Sequence, residues 1–208
     1  MEINVAWVNS TFSDHTENEV PHFDANRGIS DRAHFKIEVP WVVVRENGRQ
    51  IAGDGGGAVG VKYRFIDGKG GRPSVSTYPA LDFSLARRSV RLGLAEGATI
   101  FTLPLQVEWD LPRFSLNADM GLVAQAGSGP GWIGGVAVGR ECRGTDLLAE
   151  IHGEGIWSLR QSNWVAQLGF RRDLGARQIF LFAFGGSIAG TRADRLDWTS
   201  YLGIQFKA

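Results

Sequence analysis

Three groups of residues in this chain combine types and spacing that could do chemistry. Glu150, His152 and Glu154 alternate along one segment. On a β-strand every second residue shares a face, so two carboxylates would flank one imidazole. Such a set relays protons or offers oxygen and nitrogen ligands to a divalent ion. Alternate strand residues lie about 6.6–7 Å apart, however, so three side chains in line converge poorly on one ion. The expectation is a hydrated, hydrogen-bonded cluster, with no metal and no cofactor. Arg87, Arg88 and Arg91 form the second group, and guanidinium groups match phosphate and carboxylate geometry. They fall in the longest connection, 85–97, and connections normally run over the surface. The favoured reading is an outer loop that meets lipopolysaccharide phosphates or solvent. The alternative is a constriction loop folded inward to filter anions. The third group, Gly53-Asp-Gly-Gly-Gly57, lacks the Gly-Lys-Ser/Thr ending and the following helix of a phosphate-binding loop, and reads as a flexible hairpin connection.

Catalytic arrangements find little support. A serine hydrolase needs Ser, His and an acid within hydrogen-bond reach. The histidines are His15, His22, His34 and His152, and none sits by a Gly-x-Ser-x-Gly nucleophile turn. Cys142 is the sole cysteine, which excludes an internal disulfide and a cysteine metal cluster. The expectation is a non-enzyme.

The elements that must position these residues are strands. The apolar period is two. Phe35, Ile37, Val39, Trp41 and Val43 alternate with His34, Lys36, Glu38 and Pro40, and the same pattern recurs through 59–65, 101–109, 114–122, 147–154, 164–171 and 198–206. Strands are expected over 2–12, 19–29, 32–46, 56–66, 74–84, 98–110, 113–126, 131–141, 146–157, 162–173, 177–188 and 195–206. The segment 177–188 is apolar on both faces, which leaves its orientation open. Tight connections at Ser30-Asp31, Leu111-Pro112, Gly144-Thr145 and Gly175-Ala176 tend to alternate with longer ones, notably 47–55 and 85–97, with shorter members at 127–130 and Arg160-Gln161.

Composition bounds the partner. The 208 residues carry 22 basic and 22 acidic side chains, which argues against nucleic acid. No stretch approaches the roughly 18 apolar residues of a membrane-spanning helix. Long alternating segments, short turns on one side, an even strand count and Trp41, Trp109, Trp132, Trp157, Trp164 and Trp198 near strand ends fit a different membrane element. The fold class expected is all-β: one domain over 1–208, an antiparallel up-and-down transmembrane β-barrel of about twelve strands with both termini periplasmic. A water-soluble sandwich or calyx also alternates, with its apolar face turned inward. Met1-Glu2 runs straight into alternating sequence, so an export signal is expected to have been removed from a protein of the bacterial outer membrane.

In the membrane reading Phe35, Ile37, Val61, Leu105, Leu168 and Ile204 face lipid. Lys36, Glu38, Lys62, Arg64, Tyr78, Asp82, Glu108, Asp119, Glu141, Glu150, His152, Glu154, Arg171 and Tyr201 line the lumen. The early basic and later acidic residues suggest opposed walls and a field across a pore that favours polar or zwitterionic solutes. The same charges could instead pair and plug the interior.

The chain also resembles an outer-membrane transporter family associated with the meta-cleavage pathway of phenol degradation. The stretches that carry the resemblance are 23–32 (FDANRGISDR), 34–41 (HFKIEVPW), 57–65 (GAVGVKYRF), 147–153 (LLAEIHG) and 201–206 (YLGIQF). They run in order over nearly the whole chain. The chain departs at 81–86, where that family often shows a Leu-Pro-Thr-Gly turn. The resemblance implies a barrel and a transport role much more strongly than a substrate. Three functions therefore stand as expectations: a passive channel for small aromatic or polar solutes; a plugged accessory barrel within an envelope complex, with a protein partner or further copies; and a soluble barrel binding an apolar ligand.

Overall fold

The computed structural model describes residues 1–157, 162–190 and 195–207. The expected connection at Arg160-Gln161 lies outside the described residues. The elements are β1 (Glu2–Phe12), β2 (His15–Ser30), β3 (Ala33–Glu46), β4 (Arg49–Asp54), β5 (Gly57–Ile66), β6 (Ser74–Thr77), β7 (Ala80–Phe83), α1 (Arg87–Arg91), β8 (Ile100–Asp110), β9 (Ser115–Gln125), β10 (Gly131–Cys142), β11 (Thr145–Ile156), β12 (Ser162–Gly175), β13 (Gln178–Ala189) and β14 (Leu196–Lys207). All pairings are antiparallel. β1 pairs with β14 from Glu2↔Lys207 to Phe12↔Leu196, so the sheet closes on itself.

The fourteen segments make twelve barrel strands. β4 and β5 pair in succession with β3, and β6 and β7 pair in succession with β5 and β8. Each couple is one strand interrupted, at Gly55-Gly56 and at Tyr78-Pro79. Gly56 has φ +98, a backbone state that glycine adopts without a Cβ penalty. Pro79 has no N–H to give to a ladder.

Two sequence expectations change. The second strand starts at His15, not 19, and a register shift between Glu19 and His22 brackets Val20-Pro21. That irregularity broke the alternation on which the expectation rested. Residues 47–55 are not a long loop. Asn47 (φ 47) and Gly48 (φ 75) form a two-residue turn, and β4 pairs with β3 from Glu46↔Arg49 to Trp41↔Asp54. Asn-Gly supplies the two positive φ values that a tight hairpin needs. The long-and-short alternation is thus weaker than expected, because the connections after β1 and β3 are both tight. Both termini lie at the end that carries the turns after β2 and β10, here the turn end. The opposite, loop end carries the segment 84–99.

The orientation of the faces is unambiguous. Phe35, Ile37, Val61, Leu105, Leu168 and Ile204 all lie exposed on the outer wall, with Leu168 at 68% and Met120 at 73%. A soluble calyx would turn these residues inward. β13 is resolved as well. Phe182 and Phe180 pack beside Phe170 on β12, Phe184 beside Trp198 on β14, and Phe184 is exposed. Ile179 on the alternate face is buried. Trp132 and Trp164, with ring centroids 5.4 Å apart, stand at the loop-end limits of β10 and β12. Trp109 stands near the turn end and donates its indole N–H to the Gly71 carbonyl at 2.7 Å.

Candidate functional site: the barrel lumen

One wall of the lumen is built by β1, β2 and β3. The register places Asn4 opposite Asp24, and Asp24 opposite Glu38. Asn4 Nδ2 donates to Asp24 Oδ1 at 2.7 Å, and Asn26 Nδ2 donates to the same oxygen at 3.0 Å. Lys36 Nζ lies 3.7 Å from Asp24 Oδ2 and is ion-paired with Glu38. His22 Nε2 lies 3.8 Å from Glu38 Oε2, and its Nδ1 is 2.5 Å from Glu19 Oε2. Asp24 and Asn4 are 7% and 8% exposed. Buried charge requires partners, and this wall supplies them.

Two tyrosines lean on glycines of the same lumen. A Cβ on Gly60 would sit 2.6 Å from the Tyr78 ring, and one on Gly203 would sit 2.8 Å from the Tyr201 ring. Each ring lies flat where a side chain would otherwise project. Both feel the charges of Lys36, Glu38 and Asp24. Asp82, which pairs with Ala58 next to Glu38 in register, completes this side.

The opposite wall comes from β9 to β12. Asp119 faces Gly135, which faces His152. A Cβ on Gly135 would stand 3.0 Å from the His152 Cβ and 3.2 Å from Asp119 Oδ1, so glycine is what lets those two groups approach. His152 Nδ1 lies 3.1 Å from Glu150 Oε1 but is not aligned for a hydrogen bond. The Glu150–His152–Glu154 cluster keeps the linear arrangement expected of one strand. Among the described residues no three His, Cys, Asp or Glu side chains converge on a metal position. Lys62, Glu108, Asp119 and Glu150 border a 160 Å³ cavity with Ser76 and Gln106.

At the turn end the lumen widens into two grooves that share Glu108 and Asp110, of 570 and 750 Å³. In the first, Arg32 Nη2 and Arg64 Nε hold Asp67 at 2.7 and 3.0 Å. In the second, Arg171 Nε meets Asp146 Oδ2 at 2.7 Å, and Glu141 lies at the rim. Partial burial would raise the Asp67 carboxyl, but the hydrogen bonds and charges of Arg64 and Arg32 outweigh it and hold the group below the ordinary carboxylate value. A depressed pKa contributes stability above the unfolded-state value, lost as pH falls through the folded-state value. The unfolding temperature of wild type minus that of Asp67→Asn should therefore stay constant from neutral pH downward and close only below the usual carboxylate range. A difference that closes at higher pH would mean that the two arginines do not hold this group.

At the loop end the segment carrying α1 packs on the inner side of the β3–β4 hairpin. Gly53 shares a face with Val42, and a Cβ there would meet Leu94 at 3.0 Å and Ser89 at 3.6 Å. Ser89, Leu94 and Val42 are all buried. Arg87, Arg88 and Arg91 remain exposed. The segment thus covers the inner face of the hairpin with Ser89 and Leu94, while its arginines stay in solvent. The cause is Leu94: one apolar side chain finds cover over a glycine. Replacing 85–97 with a short turn between Phe83 and Ile100 should raise single-channel current. An unchanged current would show that the loop leaves the path clear.

The expected opposition of a basic and an acidic wall is not what the structure holds. Lys36 lies between Asp24 and Glu38, and Arg64 is drawn to Asp67 at the mouth. Between the two mouths, both walls carry carboxylates: Glu19, Asp24, Glu38 and Asp82 on one, Asp119, Glu150 and Glu154 on the other. Among the described residues, Lys36 and Lys62 are the ammonium groups that share this level. Glu19, His22, Asp24, Asn4 and Asn26 were missed from the sequence. The alternation of Asp24 and Asn26 with Phe23 and Ala25 was the signal that could have found those two, and that of Asn4 with Ile3 and Val5 the signal for Asn4.

No protein-family model and no curated protein matches the chain. Solved structures do. An outer membrane channel from Pseudomonas putida F1 superposes with TM-score 0.80 at 12% identity, covering 99% of this chain and 94% of that one. The KdgM porin in complex with disordered oligogalacturonate gives 0.69 at 9% identity, with 99% of each chain covered. The NanC porin gives 0.67 at 10%, covering 99% and 100%. At such identities the likeness speaks for the fold: a closed twelve-strand antiparallel barrel of the kind seen in outer-membrane channels and porins.

Proposed function

We propose that this protein is a passive, water-filled channel of the bacterial outer membrane for small polar solutes, with both termini and the turn end on the periplasmic side. The observation that carries this reading is the inversion of the barrel's faces. Large apolar side chains cover the outside, and ionisable groups cover the inside. A barrel surrounded by hydrocarbon with a hydrated lumen satisfies both walls. The neighbours described as an outer membrane channel and as porins add support at the level of fold. Lys36, Glu38, Lys62, Asp82, Asp119, Glu150 and Glu154 are the proposed lumen lining. Arg87, Arg88 and Arg91, exposed at the outer mouth, are the proposed contact with lipopolysaccharide phosphates. The resemblance to the family of the phenol meta-cleavage pathway supports the barrel and a transport role. It names no solute, and a charged lumen favours polar ones. The proposal has no catalytic step and calls for no cofactor.

Swelling of proteoliposomes in isosmotic small solutes tests the reading. Channel-bearing vesicles should swell with solutes of amino-acid size and not with a long oligosaccharide. Vesicles that hold correctly folded protein yet do not swell would favour the plugged accessory barrel, with the Asn4–Asp24–Lys36–Glu38 network as part of the plug.

A further inference from the structure

We infer that the pore selects cations, and that the wall formed by Asn4, Asp24 and Glu38 is where a permeating cation is held. The inference deepens the channel reading and rests on it. Three observations converge. Carboxylates outnumber ammonium groups at mid-lumen on both walls. A narrow cleft lined by charge of one sign raises the local concentration of counter-ions. Lys36, the ammonium nearest this wall, is shared between Asp24 and Glu38, so one positive charge offsets two carboxylates and the wall keeps a negative balance. Independently of the acidic groups, the Asn4 carboxamide oxygen has no hydrogen-bond donor although Asn4 is only 8% exposed. Its own Nδ2 is fixed on Asp24 Oδ1, which holds that oxygen beside the carboxylate and prevents the amide from turning to find another partner. A buried acceptor without a donor costs free energy, and a cation or its hydrating water supplies what is missing. An alkali ion or a small organic ammonium fits this set of neutral and anionic oxygens. A small anion would be repelled by the carboxylates of Asp24 and Glu38.

The zero-current potential of single channels in a tenfold potassium chloride gradient reads this directly. The wild type should show a cation-signed potential, with potassium favoured over chloride by about tenfold, the low end of what a one-signed cleft does to local counter-ion concentration. Glu38→Gln and, separately, Glu150→Gln on the far wall should each lower that ratio severalfold. Asn4→Leu, which removes the orphan oxygen and leaves every carboxylate, should lower it less and should weaken the ability of tetramethylammonium to reduce potassium current. An anion-signed or zero potential in a conducting wild type overturns the inference and leaves the channel reading intact. So does a ratio that none of the three substitutions moves. A wild type that inserts and passes no current removes both.

Discussion

Leu105→Arg should cost the folded barrel about 2–4 kcal/mol in a bilayer, the range measured for a basic residue on the lipid face near the midplane of such barrels. Leu105 is the central residue of β8, paired with Met120 on one side and Thr77 on the other. It is 51% exposed, on the outer wall. Gln106, one residue on, faces Asp119 across the ladder and borders the cavity with Glu108 and Glu150. Because side chains on a strand alternate between faces, Gln106→Arg puts the same guanidinium among carboxylates and should cost far less. Urea unfolding from lipid vesicles measures both. Equal losses at the two positions would mean that β8 does not divide lipid from lumen.

Gly185→Ala should cost about 1–3 kcal/mol, the usual price of overpacking. A Cβ at Gly185 would come within 2.1 Å of the Ala166 carbonyl oxygen and 2.7 Å of Gln167 Cγ. The first of these is backbone, and it moves only if the β12–β13 ladder moves. Gly175 sits at the end of β12 with nothing within 4 Å of its would-be Cβ, and Gly175→Ala should be nearly neutral. The urea midpoints of the two variants should therefore differ clearly. If they coincide, the close approach at Gly185 relaxes without loss.

The barrel was legible because period two is read from residue types alone. Alternations such as Phe35 to Val43 and Phe101 to Trp109 decide which face each side chain takes. Bilayer and pore then demand opposite chemistry on those faces, and Phe35, Ile37, Val61, Leu105, Leu168 and Ile204 are all exposed. What the sequence hid was of two kinds. Where the alternation slips, as at Val20-Pro21, the pattern fails locally, and β2 was drawn too short. Its shortened start left out Glu17, and its lumen residues Glu19, His22, Asp24 and Asn26 were passed over with it. At Asn47-Gly48 the dipeptide was a clear turn signal, but the glycines of 53–57 suggested one long loop where the structure has a turn and a strand. The second kind is pairing across the lumen. Strand order says that Lys36 and Glu38 share a face, but not that Lys36 would also reach Asp24 on the adjoining strand. The expected basic wall dissolved for that reason. Nor does any pattern show that Leu94 would draw its loop against Gly53, since that contact depends on how two distant segments meet.

A conducting lumen lined by the alternate residues of these strands can be probed by chemistry at single positions. Single-channel current with a positively charged thiol reagent, in a Cys142→Ser background, tests it most directly. A stable current is expected, reduced by the reagent in Lys62→Cys, on the lumen wall, and unchanged in Leu168→Cys, on the outer wall. Block at Leu168→Cys without block at Lys62→Cys, or no current from correctly inserted protein, would contradict it.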